Sequence, residues 1–153
     1  MSTVHFFTPE NRLGKAVAEG AGKLVDEAVA DADMALEMAM DECIQRIDEA
    51  LALIFKLADQ RGPDQIDALY NTVREVAGMA DHAAVPDMGT AAHTFCSLLD
   101  LGRQGRAITS EQILVNIGMM RLLRHPDRFS EPERHELLDS LRAVLDKAMR
   151  TTA

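Results

Sequence analysis

The sequence predicts an all-helical protein, an up-and-down bundle of four main helices with an N-terminal extension. Three observations carry that expectation. The 153 residues are 47% apolar but only 4% aromatic, with no Trp, and Ala, Leu and Met dominate, a mixture that favours helix over sheet. Apolar residues recur at alternating spacings of three and four in successive windows, the period of an amphipathic helix. The windows are separated by Gly and Pro turns or opened by capping sequences. The length corresponds to one domain with room for a real core. Residues 1–20 are assigned to an extension packing on the bundle, and 21–153 to a single helical domain.

His5, Phe6, Phe7, Thr8, Pro9 and Gly14 break the first stretch too often for a long helix. Phe6 and Phe7 are expected to dock on the bundle, and Thr8 before Pro9 can open a short helix. From Lys23 to Ala58 nothing breaks a helix, and Met40, Ile44, Ile47, Leu51, Ile54 and Ala58 trace a bundle seam. Asp31, Asp33, Glu37, Asp41, Glu42, Asp48 and Glu49 fall mainly off that seam. No histidine accompanies them, so they read as a solvated acidic face rather than metal ligands. Met34, Met38 and Met40 read as core filler, with a Met-rich groove as the alternative.

Arg61-Gly62-Pro63-Asp64 stops this helix. The stretch from Pro63 to Leu101 then forms the centre, two helices joined at Asp81 to Val85, with Pro86 opening the second. In the first, Ile66, Leu69, Val73, Val76 and Ala80 form one apolar stripe. Asn71, Arg74 and Gly78 lie on the opposite face. Glycine inside a helix costs about 1 kcal/mol against alanine. Standing one turn from Arg74, Gly78 leaves room for another protein's backbone; the alternative is a tolerated surface glycine. The second helix buries Met88, Ala92, Phe95 and Leu99, with His93 about 120° away.

Leu101 to Arg106 ends that helix in a loop whose two arginines make a local basic spot. Thr109 and Gln112 form a capping box opening a helix through Ile113, Ile117, Met120 and Leu123, closed by His125-Pro126-Asp127. Ser130 and Glu133 form a second box before the last helix, which carries Leu137, Leu138, Leu141, Val144 and Leu145.

A net charge of -9 repels phosphate backbones and anionic lipid surfaces, so nucleic acid and membrane are poor partners; a protein with a basic patch fits better. Cys43 and Cys96 match no metal spacing and read as free, buried thiols in a reducing compartment. No leader pattern or long apolar run occurs, which predicts a soluble, cytoplasmic protein. No glycine-rich phosphate loop, Cys and His cluster, or Ser, His and Asp spacing points to an enzyme, and no cofactor or metal is expected. His5, His125 and His135 read as ordinary surface. His82, in the central turn, and His93 are the candidates for chemistry.

The whole chain resembles alphaproteobacterial proteins related to the histidine phosphotransfer (Hpt) domain, helical bundles in which an exposed histidine passes a phosphoryl group between kinase and receiver domains. The resemblance runs from the Phe6-Phe7-Thr8-Pro9 opening, through the acidic Ala-rich helix and the central pair, to Ala92-His93-Thr94-Phe95-Cys96. The family's specific motif is His-x-x-Lys-Gly. With Gly78 as the motif glycine, its histidine falls on Arg74 and its lysine on Ala77. Arginine is permanently protonated and cannot accept a phosphoryl group, and the lysine beside the phosphate is lost.

The resemblance therefore implies a degenerate Hpt-like module of two-component signalling, not an enzyme, that docks a receiver or a histidine kinase through Asn71, Arg74, Ala77 and Gly78. Arg74 would pair with the acidic pocket of a receiver. A second register makes the chain an active phosphotransfer protein using His93 or, failing that, His82. A third reading makes the Met- and Ala-rich seam a homo-oligomer interface, a homodimer being the simplest form.

Overall fold

The computed structural model describes residues 25–60 and 64–150, so the expected N-terminal docking of Phe6 and Phe7, His5, the 20/21 domain boundary and the Arg61-Gly62-Pro63 turn lie outside the described residues. The described chain is all-helical: α1 (Val25–Ala58), α2 (Gln65–Ala80), α3 (Pro86–Arg103), α4 (Ser110–Leu123), a 3-10 turn (Pro126–Arg128) and α5 (Glu131–Arg150). No described residue is in a strand. The chain groups into two units, Met1–Glu37 and Met38–Ala153. In the first, the described residues Val25–Glu37 are all helical and all exposed.

The second unit holds the core, and α3 is its centre. Met88, Ala91, Ala92, Phe95, Leu98 and Leu99 of α3 are buried, and α3 packs on α2, α4 and α5. Phe95 is completely buried, which contributes about 1.5–3 kcal/mol. The α2 stripe lies where the spacing put it, with Leu69, Val73, Val76 and Ala80 buried and Ile66 half-buried. Ile47, Leu51 and Ile54 of α1 and Ile113, Ile117, Met120 and Leu123 of α4 complete the core. Met34 and Met38 are exposed, a correction to their reading as core filler: α1 is exposed on every face from Val25 to Ala39, so no side chain there is covered whatever its phase.

Local chemistry sets the helix ends. The carbonyls of Leu57 and Ala58 at the α1 C-terminus accept from Gln65 Nε2 at 3.0 and 3.2 Å, and that of Leu57 also from the Gln60 N–H at 3.1 Å. Between α2 and α3 the chain turns on Ala84, at φ 54°, with the Val85 N–H donating to Ala80 O at 3.0 Å. Pro86 starts α3 as expected. The two helices then approach closely: a Cβ on Gly89 would stand 3.3 Å from Ala80 Cβ and 3.4 Å from Asp81 Oδ1. A second glycine has a conformational role. At φ 86°, Gly105 closes α3 in a Schellman arrangement, its N–H donating to Gly102 O and that of Arg106 to Leu101 O.

The Thr109 and Gln112 capping box is complete, with both reciprocal bonds formed. The Ser130 and Glu133 box is half formed. The Ser130 N–H donates to Glu133 Oε2 at 2.7 Å, but the Ser130 hydroxyl donates to the same oxygen instead of accepting from the helix. These bonds hold the Glu133 carboxyl below its usual range, the hydroxyl contributing most.

Candidate functional site

The face expected to bind a partner is the outer side of the α2–α3 hairpin. The hairpin register is fixed at both ends, by Gly89 against Ala80 and by Arg103, which bridges to Asp67 at 2.7 Å and lies 4.4 Å over the Tyr70 ring. Asn71, Arg74 and Gly78 are all exposed, spaced so that they share one side of α2. A Cβ on Gly78 would meet nothing within 4 Å, so internal packing places no demand for glycine there. Asn71, Arg74 and Glu75 line a shallow depression beside it.

Ala77 does not belong to this face. It is 2% exposed and packs in the core with Val73 and Ala80, because one residue back from Gly78 turns the side chain 100° toward α3. The position that the resemblance matches to a lysine thus carries no charge and is closed to solvent.

Across the hairpin, His93 and Ser97 of α3 are exposed, and the Ser97 hydroxyl donates to His93 O at 3.1 Å. Cys96, half-buried, has its thiol pushed up to about 11. Burial is the main cause; the Arg74 charge pulls the other way and Asp100 adds to the rise. Arg74 is therefore electrostatically in touch with α3 as well as exposed. His82, in the turn, is also exposed. Cys43 and Cys96 are free and partly buried rather than deeply so. No three His, Cys, Asp or Glu side chains among the described residues converge to hold a metal ion.

The basic spot expected at Arg103 and Arg106 is partly tied down. Arg103 lies in α3, two residues beyond Leu101, and is held by Asp67, Asp100 and Tyr70; Arg106 donates to Met149 O at 2.7 Å near the end of α5. Both side chains stay exposed.

Sequence reasoning passed over a second exposed mid-helix glycine, Gly118 on α4, where a Cβ would again meet nothing within 4 Å. The signal that singled out Gly78 was equally present there.

Compared with family models, with characterised proteins and with solved structures, the chain matches none. No described helix is long and apolar enough to cross a membrane.

Proposed function

We propose that this protein is a degenerate, Hpt-like binding module of two-component phosphorelay signalling, non-catalytic and cytoplasmic, whose main helices turn back on one another as an up-and-down four-helix bundle with an N-terminal extension. It docks a receiver or kinase domain on the outer face of α2. The observation that carries this reading is Gly78, exposed in mid-helix, bounded by open space and one turn from the exposed Arg74, where the resemblance expects a histidine. A glycine that the fold does not need, beside a cation not engaged by any described carboxylate, suits close approach by an acidic protein surface. Asn71 extends the face by one turn and Ala77 supports it from below.

A phosphotransfer protein with a displaced acceptor is the second reading, favoured by the exposure of His93 one turn from Cys96. One experiment separates the two. The chain is incubated with phosphorylated and unphosphorylated receiver domains of its host, and binding and transferred phosphate are both measured. The adaptor reading expects binding without label, weakened about tenfold or more by Arg74→Ala and by Gly78→Leu. Acid-labile label that disappears in His93→Gln would establish the second reading, and absence of both binding and label would remove the signalling role.

A further inference from the structure

α4 is apolar on two sides. Ile113, Ile117, Met120 and Leu123 face the core, while Leu114 (51% exposed) and Leu122 (43%) face outward. Its outward neighbour on α1 is Phe55, 52% exposed. Two clefts between α1 and α4 share Phe55 as a wall. One, of about 520 Å³, mixes apolar walls, Ile66, Ile108 and Leu114 among them, with polar ones that include Asp59 and Gln60. The other, of about 470 Å³, has Ala52 and Phe55 on α1 facing Arg121, Arg124 and His125.

Gly118 shares a face of α4 with residues that line each cleft. Leu114, Arg121 and His125 are four residues before it and three and seven after it, the spacings that share a helix face. A Cβ there would meet nothing within 4 Å, so the missing side chain leaves this face open. A glycine inside α4 costs about 1 kcal/mol against alanine and nothing within the fold asks for it. The cationic end is not self-neutralised. Arg124 is paired through two bonds, at 2.9 and 3.0 Å, with the one carboxylate there, Asp48. Arg121 lies 5.9 Å from the Phe55 ring centre and points its charge at the cleft.

The same chain carries the complement. Residues 25–42 hold seven carboxylates, Asp26, Glu27, Asp31, Asp33, Glu37, Asp41 and Glu42, and no Lys or Arg. Val25, Val29, Ala32 and Leu36, at spacings of four, three and four, make one apolar stripe, and all are exposed. Asp26, Asp33 and Glu37 flank its edge at helical spacing.

We propose that the α1–α4 groove of one copy receives the acidic, apolar N-terminal half of α1 from a second copy. Charge and apolar surface together favour this occupant. Pairing two α1 segments with each other sets acidic stretches against each other with no Lys or Arg in either, whereas the groove, with Asp59 at its far end, offers the Arg121 guanidinium beside uncovered Phe55 and Leu114. The contact is separate from the Arg74 and Gly78 face, so it stands or falls independently of receiver docking.

Sedimentation velocity on the full chain, from about 1 to 200 μM, tests it. The expected result is a mass rising with concentration from 16.8 kDa to at least twice that. Arg121→Glu with His125→Glu, and separately Asp33→Lys with Glu37→Lys, each weaken association at least about tenfold. Mixing the two variants restores it, since each altered groove then meets an oppositely altered helix. Gly118→Leu, which fills the groove while favouring helix, also weakens it. A 16.8 kDa species at every concentration overturns the proposal. So does association that Gly118→Leu and both charge reversals leave unchanged, or that the mixture fails to recover.

Discussion

Two faces of this molecule present a mid-helix glycine to open space, and they differ in everything around it. Beside Gly78 on α2 the neighbours are Asn71, Arg74 and Glu75, all polar and exposed. Beside Gly118 on α4 they are Leu114, Leu122 and, across a cleft, Phe55. The backbone cost of glycine is the same at both sites, so the glycine alone does not say what binds. A polar face gains little from desolvation and depends on a charge-matched, well-fitted partner. An apolar face with a cationic margin gains from burial of each side chain, about 25 cal/mol per Å², and needs less specific geometry.

The most disruptive way to probe the comparison is to remove the support beneath one face. Phe95 of α3 is completely buried under the hairpin, so Phe95→Ala is expected to lose about 3–5 kcal/mol in urea denaturation. A loss below about 1 kcal/mol would mean that the hairpin face does not rest on this core.

A gentler test asks whether either glycine serves the fold. Gly78→Ala and Gly118→Ala should each raise stability by about 0.5–1 kcal/mol, because both sites are helical and a methyl group meets nothing at either. A loss at either site would show that the fold itself requires that glycine.

The smallest effect is electrostatic and local to the hairpin. With its thiol raised to about 11, Cys96 should alkylate slowly at neutral pH, its rate climbing toward pH 11. Arg74→Ala removes the one charge that lowers this value and should slow the reaction further; an unchanged rate would disconnect Arg74 from α3. The sign for stability follows. The unfolded thiol ionises near 9.0 and the folded one near 11, so the contribution of the protonated thiol is whole below pH 9 and is lost as pH rises through that interval.

Much of the fold was legible because period and punctuation are local properties. The stripes of α2 and α4, the Pro86 start of α3 and the Thr109 box all lie where spacing and capping chemistry put them. The candidate site was legible to the extent that exposure follows helical phase, which Asn71, Arg74, Gly78 and His93 obey. Ala77 was carried to the surface by a motif match that its phase contradicts. Arg103 and Arg106 were legible as a basic spot but their partners were not, because Asp67 and the Met149 carbonyl lie 36 and 43 residues away.

The sequence by itself determined which segments are helical, which stripe of each seeks burial, and that the chain is acidic along the first half of α1, since these depend on neighbours within a few turns. Only the tertiary structure decided that α2, α4 and α5 all pack on α3, that Arg103 and Arg106 reach partners in α2 and α5, and that α1 and α4 leave Phe55 and Leu114 uncovered. Those outcomes depend on which faces of distant segments meet, and helical periodicity specifies a face without specifying its partner.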